Sequence, residues 1–335
     1  MAINNKAYSP KEFQFLIAEQ NNFGTLEQAG STLPYVAIDV DSIGSPTMNL
    51  NQTLDVRTGS RVLQATDFFQ DNLNKVMEFS VSGTTTTEAL DLMLGNITFG
   101  DTAPYSLASN QGANFLASDA TNQSANQILS IIYKSPASGH TLAFRDCFCT
   151  SISLTGDAAT EGGRVKFSAT FKSGSIPILD DSTIAADTAI SSNNQYMSSW
   201  DADDRIIAGH SNMLVNSFTF NIENDVTFSG VTSTGFEQIA RAGEISATAE
   251  FNIKYDDNTD VMFKNFHDQV TGASEGATLM AHQATLVDGA FGFKLPNSVM
   301  TSVAFSEGDI MALDVSVKAV GSGVGDSGAI FEVSC

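Results

Sequence analysis

The side chains best suited to metal binding or nucleophilic chemistry in this chain of 335 residues are three cysteines and four histidines. Cys147 and Cys149 lie two residues apart, and Cys335 is the last residue. A zinc site needs further ligands close to such a pair, and none lies near it in sequence. The histidines are scattered, without partners at ligand spacing: His140, His210, His267 and His282. We therefore expect no metal site, and the sequence assigns no role to the three thiols.

Two short motifs imitate functional sites but lack the context that those sites need. The segment 323–328 has the glycine spacing of a dinucleotide-binding loop, but too few residues follow it for the required helix and second strand. Its Asp-Ser-Gly is similar to a serine-protease signature, without a matching histidine context. The acidic run 200–204 lacks the glycine and the distant glutamate of an EF-hand and predicts a solvated turn. We expect no catalytic residue, no cofactor and no enzymatic activity.

The dominant pattern along the chain is alternation of apolar and polar residues with period two, rich in β-branched and aromatic side chains. This pattern is typical of strands that are buried on one face. Glycine, asparagine, aspartate and serine separate the alternating segments. The clearest predicted strands are 75–81, 127–133, 217–223, 291–295 and 329–333.

Helical periodicity is rare, and its two best examples are short. Segments 87–94 and 259–266 each place apolar residues on one face. Each begins with a threonine, Thr87 or Thr259, followed by an acidic residue that suits the positive end of the helix dipole. We predict that each threonine caps a short helix.

Several of these segments occur twice in the same order, which indicates an internal duplication. Segment 149–154 is similar to 300–305, and each is followed by a Gly-Asp turn and an alternating strand. Upstream, 79–82 leads into the first helix as 251–254 leads into the second. The spacing differs mainly through the polar stretch 101–127, which predicts a long loop.

The length and the duplication predict a mainly β protein with two similar domains. Each domain is expected to be a β-sandwich or split barrel with one short flanking helix. The predicted boundaries are 1–185 for the first domain, 186–205 for a linker and 206–335 for the second domain.

The charge of the chain argues against nucleic-acid binding. Its 38 acidic and 16 basic residues give a net charge of −22 and a pI near 4.2. Proteins that bind nucleic acid need clustered basic residues to displace counterions. The amino-terminal segment lacks the apolar core of a signal peptide, and no window has the length of a membrane span. We therefore expect synthesis in a cytosol and no membrane partner.

The paired segments, the two Gly-Asp turns and the segment 226–230 after an alternating strand give the whole chain a family resemblance. It resembles the two-domain major tail tube proteins of long-tailed bacteriophages. The resemblance implies homotrimeric rings with pseudo-six-fold symmetry, stacked into a hollow tube through which DNA is ejected. It also implies a place in the virion tail after assembly in the host cytoplasm. The implied partners are other copies of the chain, the tail tip or initiator, the tail terminator, and the tape measure protein in the lumen; the DNA passes without specific binding. The two-domain form favours a tail without a sheath.

Under this resemblance, acidic strand residues that face the lumen would repel passing phosphates. The candidates are Glu78, Glu244, Glu250 and Asp314, and each also fits an ordinary solvent-facing strand residue.

A hairpin around Asp55, Arg57 and Arg61 is the candidate contact between stacked rings, because its basic tip could meet an acidic rim. A plain surface loop is the other interpretation of this segment. The charge and strand pattern also fit other virion or surface proteins, such as a capsid decoration or adhesin subunit. An enzyme of unrecognised type is the third class.

Overall fold

A computed structural model describes most of the chain, and all structural statements concern these residues: 9, 12–27, 35–43, 51–54, 62, 68–71, 77–98, 114–118, 128–136, 141–157, 159–160, 163–179, 202–207, 209–231, 236–267, 277–281, 291–308, 310–321 and 329–334. In these ranges the protein is mainly β with antiparallel pairing, which confirms the predicted class. The five predicted strands correspond to observed strands whose ends differ by at most three residues.

The elements of the first half lie in this order: β1 (Gln14–Gln20), β2 (Val36–Ile38), β3 (Val40–Ile43), β4 (Asn51–Leu54), β5 (Phe68–Asp71), β6 (Met77–Thr84), α1 (Thr87–Ile97), β7 (Asn114–Ser118), β8 (Ile128–Lys134), β9 (Leu142–Asp157), β10 (Lys166–Ser173) and β11 (Ile178–Leu179). Those of the second half follow: β12 (Ala202–Ile206), β13 (Val215–Glu223), β14 (Val226–Val231), β15 (Phe236–Arg241), β16 (Ser246–Lys254), α2 (Asp257–His267), β17 (Ala277–Ala281), β18 (Gly292–Leu295), β19 (Ser298–Ser306), β20 (Ala312–Ala319) and β21 (Ala329–Ser334).

The first half is a split barrel. Its strands pair in the order β3-β6-β10-β9-β8-β1-β2, and β3 continues β2 after a single residue, so the sheet curves back on itself. Alternation in β6 points Met77, Phe79 and Val81 inward, where Phe79 packs 4.8 Å from the ring of Phe144. Helix α1 packs against β1, β2, β8 and β9.

The second half forms a sandwich of two layers, and β7 of the first half is the edge strand of one of them. One layer has the order β13-β16-β20-β19, and the other has the order β12-β17-β18-β21-β7. Aromatic rings join the layers: Phe220 stacks on Phe293 at 4.4 Å, and Phe251 lies 5.8 Å from the same ring. Among the described side chains, Phe293, Phe331 and Val333 of the second layer are buried, as are Phe220, Phe251 and Val315 of the first, as sandwich packing requires.

The two halves share one strand order, and two β-bulges recur at matching positions. Thr150 is the extra residue where β9 pairs with β10, and Thr301 is the extra residue where β19 pairs with β20. Their hydroxyls donate to matching carbonyls, Thr150 to Thr170 at 3.3 Å and Thr301 to Ser316 at 3.2 Å. That the halves arose by duplication stays a prediction, and bulges at shared positions support it because bulges are specific features of a ladder.

The second shared bulge lies on the first strand of each matching set. Asp41 interrupts the pairing of β3 with β6, and Asn216 interrupts that of β13 with β16. Ser42 in β3 therefore holds the position that Ser217 holds in β13. A two-stranded hairpin follows each of these strands, β4–β5 in the first half and β14–β15 in the second.

Both predicted helices exist, but their starts and caps differ from the prediction. Thr87 lies inside α1, where Thr86 is the N-cap and makes no side-chain cap hydrogen bond. In α2, Thr259 lies in the first turn and exchanges hydrogen bonds with Asp256: the Asp256 amide donates to the Thr259 hydroxyl at 2.7 Å, and the Thr259 amide donates to the Asp256 carboxylate at 3.2 Å. This is a capping box in which Asp256 is the N-cap and Thr259 is its partner three residues later. The prediction that Thr87 caps α1 was wrong, whereas Thr259 takes part in the cap of α2 without being the residue that opens the helix.

Two other segments also differ from the sequence prediction. The stretch 101–127, predicted as a loop, contains β7, which pairs with β21 of the second half. The acidic run predicted as a turn enters β12 at Ala202, and β12 pairs with β17. Both strands are short, β7 with polar residues at both ends and β12 with three charged residues in its centre, so local periodicity does not distinguish them from loop.

Candidate functional site

The two halves are joined by a continuous β ladder between β9 and β13. Leu154 faces Phe220 and Ile152 faces Ile222, and all four side chains are buried on one side of the sheet. Between them, Ser153 faces Asn221, and these two side chains point to the opposite side. The result is one path of eight strands across the chain, β3-β6-β10-β9-β13-β16-β20-β19. The last strand of the first set pairs with the first strand of the second set, so the contact is head to tail.

Polar contacts at the corner after β13 reinforce this junction. The side-chain amide of Asn224 donates to the carbonyl of Ile97 at the end of α1, at 2.6 Å, and its backbone amide donates to Thr150 at 2.9 Å. Next to it, the ammonium of Lys172 lies 2.6 Å from the Asp225 carboxylate. This hydrogen bond lowers the pKa of Asp225 below its ordinary value.

The β14–β15 hairpin of the second half packs on the first half. Phe228 and Ile239 of the hairpin share a buried cluster with Ile128 and Phe148. Gly174 lies against the Phe228 ring so closely that a Cβ at this position would come within 2.5 Å of a ring carbon. The Phe236 amide also donates to the Gly174 carbonyl at 3.1 Å. Glycine is required here because the ring occupies the space of a side chain.

The two ends of the eight-strand path are open edges in the described part of the chain. β3 pairs with β6 alone, and β19 pairs with β20 alone. Phe305 in β19 holds the position that Leu154 holds in β9, and the exposed fractions are 44% for Phe305 and 0% for Leu154. Leu154 is covered because β13 lies beside it. The ring contacts of Phe305 among the described residues are with Tyr255 and Phe263 of its own half, at centroid distances of 5.4 and 4.7 Å.

The helices show the same asymmetry. Ile97, the last residue of α1, is buried and has its carbonyl bonded by Asn224 of the second half. His267, the last residue of α2, is exposed. An isolated sheet edge and an uncovered apolar surface are features that promote association.

One side of the eight-strand path, which we call the polar face, points away from the core and carries mainly hydroxyl and amide side chains. Its central row crosses six adjacent strands without a charge: Ser42, Ser82, Ser168, Ser153, Asn221 and Thr248. The path strands carry six acidic residues and four lysines on this face: Asp41, Glu78, Asp157, Glu223, Glu250, Asp314, Lys166, Lys172, Lys254 and Lys318. Lys166 bonds Asp41 at 2.9 Å.

Three of the four acids predicted to face the lumen lie on the polar face. Glu78, Glu250 and Asp314 are exposed there, and the Asp314 carboxylate accepts a hydrogen bond from Asn252 at 2.6 Å. Glu244 does not join them, because it is exposed in the turn before β16. The structure therefore brings three of these residues to one face.

The predicted stacking hairpin is present only as its stem. β4 and β5 pair in register, with Asn51 facing Asp71. Its tip residues Asp55, Arg57 and Arg61 lie outside the described residues, so their contacts stay a prediction.

A buried carboxylate, Asp146, organises the barrel end of the first half. It is fully buried and accepts hydrogen bonds from Gln20 at 2.6 Å, the Gly24 amide at 2.7 Å and the Ser175 hydroxyl at 2.7 Å. A fully bonded carboxylate of this kind fixes the 21–27 turn against β9. Its backbone φ of 53° is one that few residues other than glycine adopt.

The thiols of Cys147 and Cys149 are also buried in this half, and burial raises the pKa of both. Such thiols are inert, because the thiolate is the reactive form. Among the described residues, no group of three or more His, Cys, Asp and Glu side chains is arranged to hold a metal ion. His140, His282 and Cys335 lie outside the described residues.

Comparison of the sequence with protein families and with curated proteins finds no match. In the described part of the chain, neither helix has the length and apolar character to cross a membrane.

Sequence reasoning missed the residues that join the halves, namely Asn224, Asp225, Phe228 and Gly174. The sequence feature that points to the junction is the repeated Thr-Ser pair at 150–151 and 301–302, because these pairs mark the shared bulge in the strand next to it.

Proposed function

We propose that the protein is a structural subunit that polymerises head to tail, as the major tail tube protein of a long-tailed bacteriophage. The observation that carries the proposal is the contrast between Leu154 and Phe305. These two residues hold the same position in matching strands. Leu154 is covered because β13 lies beside β9, whereas Phe305 is exposed because β19 is the last strand of the eight-strand path. A further copy that pairs its β3 with β19 as β13 pairs with β9 would continue the sheet at this edge. In this register the residue that faces Phe305 follows β3 and lies outside the described residues, and we expect this part of the further copy to cover Phe305.

Repetition of this contact generates either a closed ring or an open helix, because a head-to-tail interface applies the same rotation at every step. The family resemblance favours three chains per ring. Eight strands from each of three chains make 24 strands in all, with six sets of four related by pseudo-six-fold symmetry. At a strand spacing of about 4.8 Å and a tilt of about 40°, this sheet forms a cylinder about 48 Å across at the backbone.

The polar face fits the lumen of this cylinder, because helices and the second layers cover the other face. Side chains reach about 5 Å inward from the backbone, which leaves a passage about 38 Å wide, enough for a DNA duplex. The strands of this face carry six acidic residues against four lysines, a net charge of −2. Two of the lysines, Lys166 and Lys172, are held in ion pairs. The wall therefore offers passing phosphates few free cations.

The proposal implies the partners of a tail tube: further copies of the chain, the tail tip or initiator, the terminator, the tape measure protein in the lumen, and DNA in transit. It places the protein in the virion after assembly in the host cytoplasm. The β4–β5 hairpin follows the open strand β3 as β14–β15 follows β13, so it is positioned to pack on the neighbouring copy as β14–β15 packs within the chain.

Negative-stain electron microscopy of the purified protein at increasing concentration, together with sedimentation, tests the proposal. We expect rings of three chains or hollow tubes of uniform width, with an inner sheet close to the calculated diameter. A protein that remains monomeric at millimolar concentration overturns the proposal and favours a decoration or adhesin subunit.

A further inference from the structure

We propose that the turn between β19 and β20 docks into a groove beside β3 of a second copy of the chain. The turn is defined by Glu307, Gly308, Ile310 and Met311. That the partner is another copy rests on the proposed function. The inference adds an apolar contact to the proposed pairing of β19 with β3. It also names the residues that each of the two copies contributes to this contact.

The groove lies at the open edge of the first half and has a volume of about 630 Å³. Val40 and Ser42 of β3 form one side, and Phe13 and Tyr133 form the other. The Phe13 ring stacks on the Tyr133 ring at 4.7 Å with an interplanar angle of 12°. Phe15, also in the lining, is buried. The groove is thus a preformed surface at the open edge of β3, and its lining combines apolar side chains such as Phe13 and Tyr133 with the polar side chains of Asp39, Asp41 and Ser42.

The turn presents two large apolar side chains, which suit the aromatic part of the groove formed by Phe13 and Tyr133. Ile310 is 69% exposed and Met311 is 44% exposed. The turn is fixed rather than loose at its second end, because the Tyr255 amide donates to the Met311 carbonyl at 3.0 Å. The corresponding position before β10 holds Arg164, a charged residue. Two large apolar side chains on a fixed surface turn favour a buried partner.

The chain itself contains the template for this placement. Where the first half meets the second, Asp157 at the end of β9 pairs with Ser217 of β13. Asp157 and Arg164 then line one cleft together with Ser217. Because Ser42 holds the position of Ser217, and Gly308 that of Asp157, the same geometry brings the Ile310 turn of one copy to the Ser42 end of the groove in the next.

Charge at this contact gives the docking a distinctive salt dependence. Asp39 and Asp41 line the groove, and Glu307 lies in the docking turn. Lys166 is 2.9 Å from Asp41 and offsets part of this negative charge. Since like charges repel and salt screens them over about 8 Å at physiological ionic strength, assembly should strengthen as salt increases.

The first test compares Ile310→Asp with Ile176→Asp by sedimentation and electron microscopy. Ile176 is 44% exposed and follows Ser175, which bonds Asp146 next to Gln20 at the end of β1 opposite the groove, so it is a control for an exposed aliphatic residue. We expect Ile310→Asp to raise the critical concentration for assembly by about tenfold or more, and the control to leave it unchanged. Equal assembly of the two variants overturns the docking.

The second test places cysteines across the predicted contact, in a chain with Cys335→Ser. The pair Ser42→Cys with Gly308→Cys should form disulfides between chains under oxidising conditions. Asp157→Cys with Ser217→Cys is the positive control within one chain, because these residues face each other in the ladder. Ser42→Cys with Ser306→Cys is out of register by two residues and should link poorly.

The outcomes separate the docking from the proposed function. Tubes that form normally while Ile310→Asp has no effect, or while both Ser42 pairs link equally, overturn the docking alone. A protein that forms neither rings nor linked chains overturns both.

Discussion

Replacing Phe305 by alanine tests whether the open edge of β19 is covered in the assembled protein. A phenylalanine side chain buries about 150–250 Å², and 44% of Phe305 is exposed in the single chain. A neighbour would therefore cover about 65–110 Å² of this side chain. At about 25 cal/mol per Å², its loss weakens each contact between chains by about 2 kcal/mol, or about 30-fold in association.

Leu154→Ala is the matched control at the corresponding position of β9. Leu154 is fully buried inside the chain, so its truncation should cost about 2–5 kcal/mol of unfolding free energy and leave the association constant of the folded protein unchanged. Urea denaturation gives the unfolding free energy, and the critical concentration measured by sedimentation gives the association. If Phe305→Ala and Leu154→Ala assemble at the same critical concentration, Phe305 is not covered by a neighbour and the head-to-tail reasoning fails.

Three further predictions concern the single chain. Asp146→Ala should lower the unfolding free energy by about 3–5 kcal/mol in urea denaturation, because it leaves buried donors without an acceptor; a loss below about 1 kcal/mol contradicts a structural role. Lys172→Met should cost less than about 1 kcal/mol at neutral pH, since the Asp225 carboxylate is largely exposed. Because the folded pKa of Asp225 is lowered, this contribution is present above the ordinary Asp pKa of about 3.9 and is lost as the pH falls through the folded value; a difference from wild type that persists in acid argues against the ion pair. With the carboxy-terminal cysteine replaced by serine, Cys147 and Cys149 should react with a thiol reagent only on unfolding, and rapid labelling of the native protein would contradict their burial.

Alternation predicted much of the sheet because one face of each path strand is buried. In β6, Met77, Phe79 and Val81 point inward while Glu78 and Ser80 point outward, and this arrangement is visible as period two in the sequence. The repeat of segment 149–154 at 300–305 also located two strands that occupy matching places in the path.

Pairing between distant strands could not be predicted in this way. The strand that lies beside β9 is determined by how the two halves pack together. The sequence around Leu154 and around Phe220 does not indicate that these two residues face each other. For the same reason the strand β7 was missed, since it is a strand by virtue of its pairing with β21. Thr87 and Thr259 are not the residues that open the two helices, because α1 begins directly after Thr86 and α2 directly after Asp256.

The candidate site was predicted in part for similar reasons. Glu78, Glu250 and Asp314 follow from alternation, because they are the polar members of half-buried strands. Glu244 precedes β16, and its segment has no ladder that fixes the direction of its side chain. The exposure of Phe305 depends on which strands lie beside it, a property of the topology.

The polar face carries much less negative charge than the acidity of the whole chain suggests. The chain carries a net charge of −22, whereas the path strands place only −2 on this face. Most of the acidic excess therefore lies elsewhere, where it keeps the protein soluble and opposes random association. A wall of serine, threonine and asparagine exchanges hydrogen bonds with water at little net gain, about 1 kcal/mol or less for each neutral bond. A phosphate that passes such a wall gains little by leaving water. Under the proposed function, low adhesion in the lumen thus depends more on hydroxyl side chains and on paired lysines than on a dense layer of carboxylates.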